Sequence, residues 1–481
     1  MVKRSVILIF SVFIVISSLF AQDMKYSVPD KIKGKTVFTK ILGKHNGYFF
    51  VVRYDKKATQ NFLFEKYNSE LKVVRNHEFN IESGTSVEDI RFMNGQLYFF
   101  YSEYEKQDKL HKLYCDVYDE SFNQVDKENL IATTSVVPSN SKSFKIEYDL
   151  IYNQIVILYA ESIVNDVIKF NILVLDDILT TLNSAHTRLN YSKEFSIKNI
   201  QLFNGQFTAL VYEKTSGLLK GNKSNIDFFY YDVGNQNKII RKLDFDSVKF
   251  ENIAYRYDIV NKAYLFSGFY SSDNKEQIIG MGMYRYFVFN DSSFLKLTPF
   301  SDEMIVSISG KYDASGMLNY YPQGIVLRDD GGYVLISEYY SIQKEMQNDY
   351  YALNNTYVKY YYHYSDIMLV SVNADGQIDW NRIIRKDQNS MNDDGYYSSF
   401  SYATVANKIV ILFNDFSRSK WNLLYHVIDP AGNVDFEVLV NGNTFNGSFI
   451  PRQAQQVGLF EIMVPALDQK RGFTLAKITI K

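Results

Sequence analysis

The chain has 481 residues with 52 basic and 54 acidic side chains. This balance argues against a nucleic-acid-binding protein, which usually carries a basic excess. The length suits two or three ordinary domains or one large repeat architecture. There are 39 tyrosines and 36 phenylalanines but only 7 prolines. Because tyrosine and phenylalanine favour strands, the composition indicates an all-β protein.

The N-terminal residues have the pattern of a secretory signal peptide. Lys3 and Arg4 precede the apolar residues 6–16, and Ala21 is a small residue at the expected cleavage position. The alternative is an uncleaved membrane anchor, but the apolar run is shorter than the roughly 20 residues of a bilayer span. We therefore predict removal of residues 1–21 and no transmembrane segment after cleavage. The mature chain is expected to be periplasmic or associated with the outer membrane, or alternatively extracellular.

The single cysteine and the scattered histidines limit the chemistry of the chain. Cys115 has no partner for an intramolecular disulfide, so the core and strand pairing must hold the protein together. Its apolar surroundings indicate a small core residue. The six histidines do not occur at metal-ligand spacing, and no phosphate-binding or dinucleotide-binding motif is present. We therefore predict no metal site, no cofactor and no identifiable catalytic residue.

A unit of about 56 residues recurs along the chain, which is typical of a repeat architecture. In each copy an apolar run is followed by Asn or Asp, two more residues, a small or apolar residue and an alternating run. Asn and Asp start tight turns through their side chains, and glycines such as Gly376 and Gly432 supply the positive φ that these turns need. The turns begin at Asn68, Asp119, Asp176, Asp232, Asn290, Asn373 and Asp429.

An apolar strand precedes each turn, and an eighth strand follows the last one. Several are apolar on nearly every residue, as expected of strands covered on both faces by neighbouring sheets. These strands are predicted at residues 47–52, 96–101, 154–159, 206–212, 262–266, 332–337, 408–413 and 458–464.

Eight strands but seven turns leave the last unit without an outer strand. We expect residues near 25–33 to supply it, beside the final strand at residues 472–480. The predicted fold is therefore all-β: a single β-propeller domain, residues 22–481, with eight four-stranded blades, closed by pairing of the N- and C-terminal strands. Seven blades are the alternative.

One repeat is longer than the others by about 27 residues, which places an insertion at residues 340–364. Tyrosine combines a large apolar ring with a polar tip, so a tyrosine-rich loop suits recognition of a protein or a sugar. A long insertion in a compact domain is often functional. The alternative is a lengthened hairpin whose tyrosines pack on the blade beneath. The candidate binding residues are Tyr350, Tyr351, Tyr357, Tyr360, Tyr361, Tyr362 and Tyr364.

The best-defined repeat resembles a known family. Asp330-Gly331-Gly332-Tyr333, residues 366–372, Gly376 and Trp380 are similar to the DGGY…D..G...W repeats of exported propeller-like proteins of the Bacteroidetes type. The resemblance covers about 60 residues and fades to strand spacing elsewhere. It implies a propeller in the cell envelope or outside the cell, and it carries no catalytic residues. The insertion at 340–364 interrupts this repeat.

Two functional hypotheses follow. The first is a non-catalytic exported propeller, monomeric on its own, that recognises an envelope or outer-membrane protein and belongs to an outer-membrane secretion or assembly system. The alternative is a carbohydrate-binding or carbohydrate-active propeller, either a glycoside hydrolase or a lyase. A glycoside hydrolase requires at least two carboxylates that converge near the channel. Acidic pairs such as Asp393-Asp394 lie at predicted turns, and the sequence alone does not bring carboxylates together.

Overall fold

Most of the chain forms β-strands in the computed structural model. The described residues contain 35 strands and one α-helix, so the predicted all-β class is confirmed. The predicted signal peptide, residues 1–21, lies outside them. The structure describes residues 23–31, 37–55, 61–136, 143–149, 151–164, 167–190, 195–214, 224–245, 248–271, 277–309, 319–348, 356–417, 420–468, 470 and 472–480.

The strands form eight antiparallel sheets. Two short N-terminal strands, β1 (Asp23–Tyr26) and β2 (Asp30–Lys31), belong to sheet 8. Sheet 1 contains β3 (Val37–His45), β4 (Tyr48–Asp55), β5 (Asn61–Tyr67) and β6 (Val73–Asn80). Sheet 2 contains β7 (Thr85–Met93), β8 (Gln96–Glu105), β9 (Leu110–Asp119) and β10 (Gln124–Thr134). Sheet 3 contains β11 (Phe144–Asp149), β12 (Gln154–Val164), β13 (Val167–Leu175) and β14 (Thr181–Asn190). Sheet 4 contains β15 (Phe195–Phe203), β16 (Gln206–Lys214), β17 (Ser224–Asp232) and β18 (Asn237–Lys242).

The second half of the chain repeats this arrangement. Sheet 5 contains β19 (Lys249–Asp258), β20 (Ala263–Ser271), β21 (Ile278–Phe287) and β22 (Ser292–Pro299), and helix α1 (Asp302–Ser309) follows it. Sheet 6 contains β23 (Tyr320–Leu327), β24 (Tyr333–Asn348), β25 (Thr356–Val372), β26 (Ile378–Ile384) and a fifth strand, β27 (Gln388–Met391). Sheet 7 contains β28 (Phe400–Val405), β29 (Lys408–Ser417), β30 (Lys420–Ile428) and β31 (Val434–Val440). Sheet 8 contains β32 (Gly447–Phe449), β33 (Gln455–Gly458), β34 (Glu461–Asp468) and β35 (Gly472–Thr479), with the 3₁₀ turn Pro451–Gln453 after β32.

The first strands of neighbouring sheets lie next to each other. On β15, the side-chain amides of Asn199 and Gln201 donate hydrogen bonds to backbone oxygens of β19, at 3.0 and 2.7 Å. The fourth strands are solvent-exposed, as in β6, where no residue is buried. The sheets therefore radiate from an axis that their first strands line.

Apolar clusters fill the spaces between neighbouring sheets in cyclic order. Phe50 of sheet 1 packs with Phe99 of sheet 2, and the series ends where Met463 of sheet 8 packs with Phe49 of sheet 1. Middle strands are covered on both faces, so all nine residues of β20 are buried. Eight sheets of four or more strands, packed face to face about an axis, form a β-propeller. This packing agrees with the predicted eight blades and not with seven.

The N-terminal strand lies beside the C-terminal strand. β1 pairs antiparallel with β35, with Lys25 opposite Lys477, and the Ser27 N–H donates to Leu475 O at 2.8 Å. β2 pairs with the other end of β35. The predicted strand at about 25–33 is thus split, because Pro29 cannot donate a backbone hydrogen bond and separates the two parts.

The two ends of the propeller differ in their connections. At one end, the turn face, tight turns join first to second and third to fourth strands. The predicted Asn and Asp turns are confirmed here: Asn68 Oδ1 accepts hydrogen bonds from the backbone N–H groups of Glu70 and Lys72, both at 3.0 Å. At the other end, the loop face, longer segments join successive sheets, including α1 and residues 385–399. Within the described part of the chain, no helix has both the length and the apolar character to cross a membrane.

A buried histidine in sheet 7 makes stability depend on pH. The His426 ring lies between Phe413 and Phe436, at centroid distances of 5.1 and 5.6 Å, and burial lowers its pKa to about 4. Below the ordinary histidine pKa of 6.5, the unfolded chain is protonated before the folded one, so stability falls as pH drops from 6.5 to about 4.

We expect His426→Phe to remove this loss. Urea titrations should show the variant gaining on the order of 2–3 kcal/mol of unfolding free energy over the wild type between pH 7 and pH 4. If the difference in unfolding free energy between variant and wild type stays constant over this pH range, His426 titrates alike in the folded and unfolded chains.

Candidate functional site

The tyrosine-rich insertion forms the outer part of a long hairpin on the loop face. Strands β24 and β25 continue past the end of sheet 6, with Tyr340 opposite Tyr364 and the pairing extending to Asn348 and Thr356. β27 pairs with β25 at residues 361–364. Residues 340–348 and 356–364 are called the long hairpin below.

The structure places the predicted binding tyrosines in different environments. Tyr350 and Tyr351 lie outside the described residues, and Tyr357 lies within β25. Tyr360 is 39% exposed and Tyr361 is partly exposed. Tyr362 and Tyr364 are both buried.

The two buried tyrosines anchor the long hairpin to the propeller. The Tyr362 hydroxyl donates to Asp394 Oδ1 at 2.7 Å. The Tyr364 ring lies 4.5 Å from the ring of Tyr340 and 5.8 Å from the Arg452 guanidinium of sheet 8. Packing on the structure beneath, the alternative role considered for these tyrosines, accounts for both. Their contribution to a binding site is indirect, through the position of the hairpin.

The segment 385–399 ties the hairpin base to distant sheets. Its Tyr396 joins the apolar cluster between sheets 8 and 1, and the Tyr396 hydroxyl donates to the Val37 carbonyl of β3. Arg452 donates to the Asp394 carbonyl at 2.8 Å. Through this segment, the long hairpin is braced against sheets 1 and 8.

A buried ion pair lies at the base of the long hairpin. Lys386 Nζ is 2.7 Å from Glu338 Oε1, and each side chain is only 1% exposed. The Ser399 hydroxyl donates to Glu338 Oε2 at 2.7 Å, and Lys386 donates to Gln388 Oε1 at 3.2 Å. Burial lowers the pKa of Lys386, and the Glu338 carboxylate opposes this shift. These contacts fix the direction in which the hairpin leaves the sheet.

The outer part of the long hairpin exposes apolar side chains on one face. Ile342 and Met346 are 50% and 68% exposed, and they share this face with Tyr360 because Ile342 pairs with Tyr362 and Met346 with Val358 across the hairpin. Sequence reasoning selected the tyrosines and missed these two residues. Along residues 340–346, the side chains of Tyr340, Ile342 and Met346 stand at every second position, interrupted only by Lys344. This was the available signal for a strand with one largely apolar face.

The Tyr362 anchor can be tested separately from global stability. We expect Tyr362→Phe to weaken the hairpin locally by about 1–2 kcal/mol, since the Asp394 carboxylate loses a donor. Amide hydrogen exchange within 340–364 should then become roughly tenfold faster, with little change in melting temperature. Tyr360→Phe on the exposed face is the matched control. Equal exchange in both variants would remove Tyr362 from the anchor.

A group of charged residues, called the channel charges below, lies on the first strands of sheets 1 to 3, near the axis. Asp89 of β7 forms ion pairs with Lys40 of β3 and, at 3.3 Å, with Arg91 Nε. On β11, burial raises the pKa of Glu147 to about 7; nearby Asp89 adds to this shift and Arg91 opposes it. Glu147 can therefore gain and lose a proton near neutral pH. These residues come from three different sheets and belong to no motif, so the sequence did not reveal them.

Neither a metal nor a reactive thiol emerges from the described residues. No group of three His, Cys, Asp or Glu side chains among them is placed to hold a metal ion. Cys115 is fully buried, as predicted for a core residue, and burial raises the pKa of its thiol. A neutral buried thiol is a poor nucleophile.

Comparisons with known proteins give weak structural similarity. No protein-family model and no curated protein sequence matches the chain. The WD40 domain of SCAP from fission yeast is similar in fold, with 8% identity and a TM-score of 0.41 over 95% of this chain and 98% of that chain. The β-propeller domain of the Trilobed protease from Pyrococcus furiosus has 10% identity and a TM-score of 0.36 over 87% and 96%. A thermostable family-43 glycoside hydrolase has 12% identity and a TM-score of 0.27 over 56% and 92%. The description of the chain as a propeller depends on its strand pairing and packing.

Proposed function

We propose that this chain is an exported, non-catalytic β-propeller that recognises another protein in the cell envelope. The observation that carries the proposal is the braced long hairpin, which presents Ile342, Met346 and Tyr360 to solvent on the loop face. Exposed apolar side chains grouped on one face are typical of interaction sites. A hairpin that is already rigid loses little conformational entropy on binding, which favours affinity.

The cellular setting of the proposal comes from the sequence. Residues 1–21 have the pattern of a signal peptide, and the repeat at 330–380 resembles those of exported Bacteroidetes-type propellers. We place the mature protein in the periplasm or at the outer membrane. Its partner is then an envelope or outer-membrane protein of a secretion or assembly system. In this proposal β1 closes the propeller by completing sheet 8.

Cross-linking in the native host, followed by affinity purification and mass spectrometry, tests the proposal. The hairpin variant carries Ile342→Ser, Met346→Ser and Tyr360→Ser. The control carries Ile151→Ser, Ile259→Ser and Leu459→Ser, which replace exposed apolar residues on the turn face. We expect the wild type and the control to recover the same partner and the hairpin variant to lose it. Retention of the partner by the hairpin variant would contradict the proposal.

A second candidate function rests on the channel charges. Glu147, with a pKa of about 7, lies near Asp89, which forms ion pairs with Lys40 and Arg91, and a glycoside hydrolase requires two carboxylates that act together. If this function operates, a glycan panel should yield product with the wild type and none with Glu147→Gln of equal stability. Absence of product from the wild type on every glycan would reject it.

A further inference from the structure

One edge of the long hairpin has no partner strand in the part of the chain that the structure describes. On the axis side, β23 pairs with β24 only as far as Tyr320 opposite Tyr339, whereas β24 continues to Asn348. Among the described residues, no strand pairs with β24 beyond Tyr339 on this side. The other edge, on β25, is covered by β27 at residues 361–364. Within the described part of the chain, the outer part of β24 is therefore an open edge on the side of the axis.

The backbone groups of this open edge can be assigned. The Tyr340 N–H donates to Asn319 O at 2.9 Å, so the Tyr340 backbone faces the axis side. Backbone direction alternates along a strand, so the N–H and C=O groups of Ile342, Lys344 and Met346 face the same way.

The opposite edge supports this assignment. Tyr360 pairs with Lys344 across the hairpin, and the Tyr360 N–H donates to Asn392 Oδ1 at 2.9 Å. The Asn392 N–H donates back to Tyr360 O at 3.0 Å. The Tyr360 backbone thus faces outward from β25, and its partner in an antiparallel pair, Lys344, must face outward from β24.

We propose that the open edge of β24 binds an extended segment of the partner protein by strand addition. This inference rests on the proposed function and specifies its mode. The added strand pairs with the backbone of Ile342, Lys344 and Met346. Its side chains opposite these three residues are apolar, acidic and apolar, in that order. Strand addition uses backbone hydrogen bonds for affinity and alternate side chains for specificity.

Charge complementarity selects this occupant. Lys344 is exposed, and among the described residues it forms no ion pair. A carboxylate opposite Lys344 on an added strand would pair with it. A second copy of the chain, paired antiparallel about the same position, would place Lys344 opposite Lys344, and like charges directly opposite each other are destabilising. The edge therefore favours a foreign strand that carries an acidic residue.

A displayed library of random ten-residue peptides is a direct probe of the open edge. Peptides are selected for binding to the wild-type protein, and those that also bind Lys344→Pro are removed. We expect the remaining peptides to carry Asp or Glu with an apolar residue two positions before and two positions after it. Proline at 344 removes an outward N–H without touching the β24–β25 hydrogen bonds. Binding should weaken by about tenfold or more in Lys344→Pro relative to Lys344→Ala, since only proline removes the donor.

A second measurement leaves the protein unchanged. Two versions of a selected peptide are made, one N-methylated at the odd-numbered amides and one at the even-numbered amides. The version whose methylated amides face β24 should lose binding, and the other should keep it. Strand addition would be overturned if no peptide prefers the wild type over Lys344→Pro, or if the two N-methylated versions of a peptide bind equally. Dimers of the chain that Lys344→Pro dissolves would identify a second copy as the occupant and would also overturn it.

The cellular partner separates this inference from the proposed function. If the hairpin triple-serine variant loses the partner and Lys344→Pro also loses it while Lys344→Ala retains it, strand addition is supported. If only the triple-serine variant loses the partner, the proposed function stands and strand addition is wrong. If all variants retain the partner, both are wrong.

Discussion

Replacing Lys386 by methionine is expected to lower the free energy of unfolding by about 3–5 kcal/mol, the usual cost of removing one partner of a buried ion pair. Glu338 is 1% exposed, and its carboxylate would lose the ammonium group 2.7 Å away. The Ser399 hydroxyl, its remaining hydrogen-bond donor, cannot neutralise the charge. Urea unfolding followed by fluorescence measures the effect.

The double variant Lys386→Met with Glu338→Leu is the matched control. It removes both charges, so we expect it to recover most of the lost stability. A Lys386→Met protein as stable as the wild type would mean that the Glu338 carboxylate is hydrated or protonated at no cost. The ion pair would then not fix the hairpin base.

Deleting residues 23–31 is expected to destabilise the protein by about 4 kcal/mol. The deletion removes about four hydrogen bonds between this segment and the backbone of β35, and each contributes about 1 kcal/mol. β35 would become an open edge, and exposed edges promote association between chains. Arg53 would lose the Asp30 carboxylate, 2.8 Å away, and keep only Glu65. We expect a lower melting temperature and concentration-dependent self-association in size-exclusion chromatography.

Lys25→Ala is the control for this deletion. It removes the solvent-exposed ion pair between Lys25 and Glu70 but keeps the backbone of β1, so no measurable change is expected. A deletion variant that remains monomeric with the wild-type melting temperature would show that sheet 8 does not need β1.

The repeat pattern could be predicted from the sequence because its signals are local. In the turns at Asn68 and Asp429, the side-chain oxygen accepts hydrogen bonds from backbone N–H groups up to four residues later. Such a turn depends only on residues that are neighbours in the sequence. Apolar runs such as residues 409–413 identify strands that are covered on both faces. Spacing alone then indicated eight sheets.

Two elements were missed. β27 has the polar sequence Gln-Asn-Ser-Met and is a strand only because it pairs with the long hairpin. Helix α1 was not predicted, although Ser301 caps it by accepting the Met304 N–H at 3.2 Å and acidic residues fill its first turn. This capping pattern is visible in the sequence, but the helix is only eight residues long, which is too short for a clear helical periodicity.

The candidate site could be predicted only in part. The insertion at 340–364 was located from the repeat spacing, and tyrosine content directed attention to it. Which tyrosines are buried depends on Asp394 and Arg452, which come from other loops. Likewise, Lys386 and Glu338 are distant in sequence, and only the folded chain brings them together.

An engineered disulfide between the chain ends tests most directly whether the eight sheets form a ring in which the first residues pair with the last strand. Tyr26 and Ala476 are cross-strand partners, and antiparallel partners lie within disulfide range. We expect Tyr26→Cys with Ala476→Cys to cross-link nearly completely on oxidation, and Tyr26→Cys with Phe294→Cys, on the outer strand of sheet 5, to give no cross-link. Equal yields, or no cross-link in the first variant, would contradict the ring.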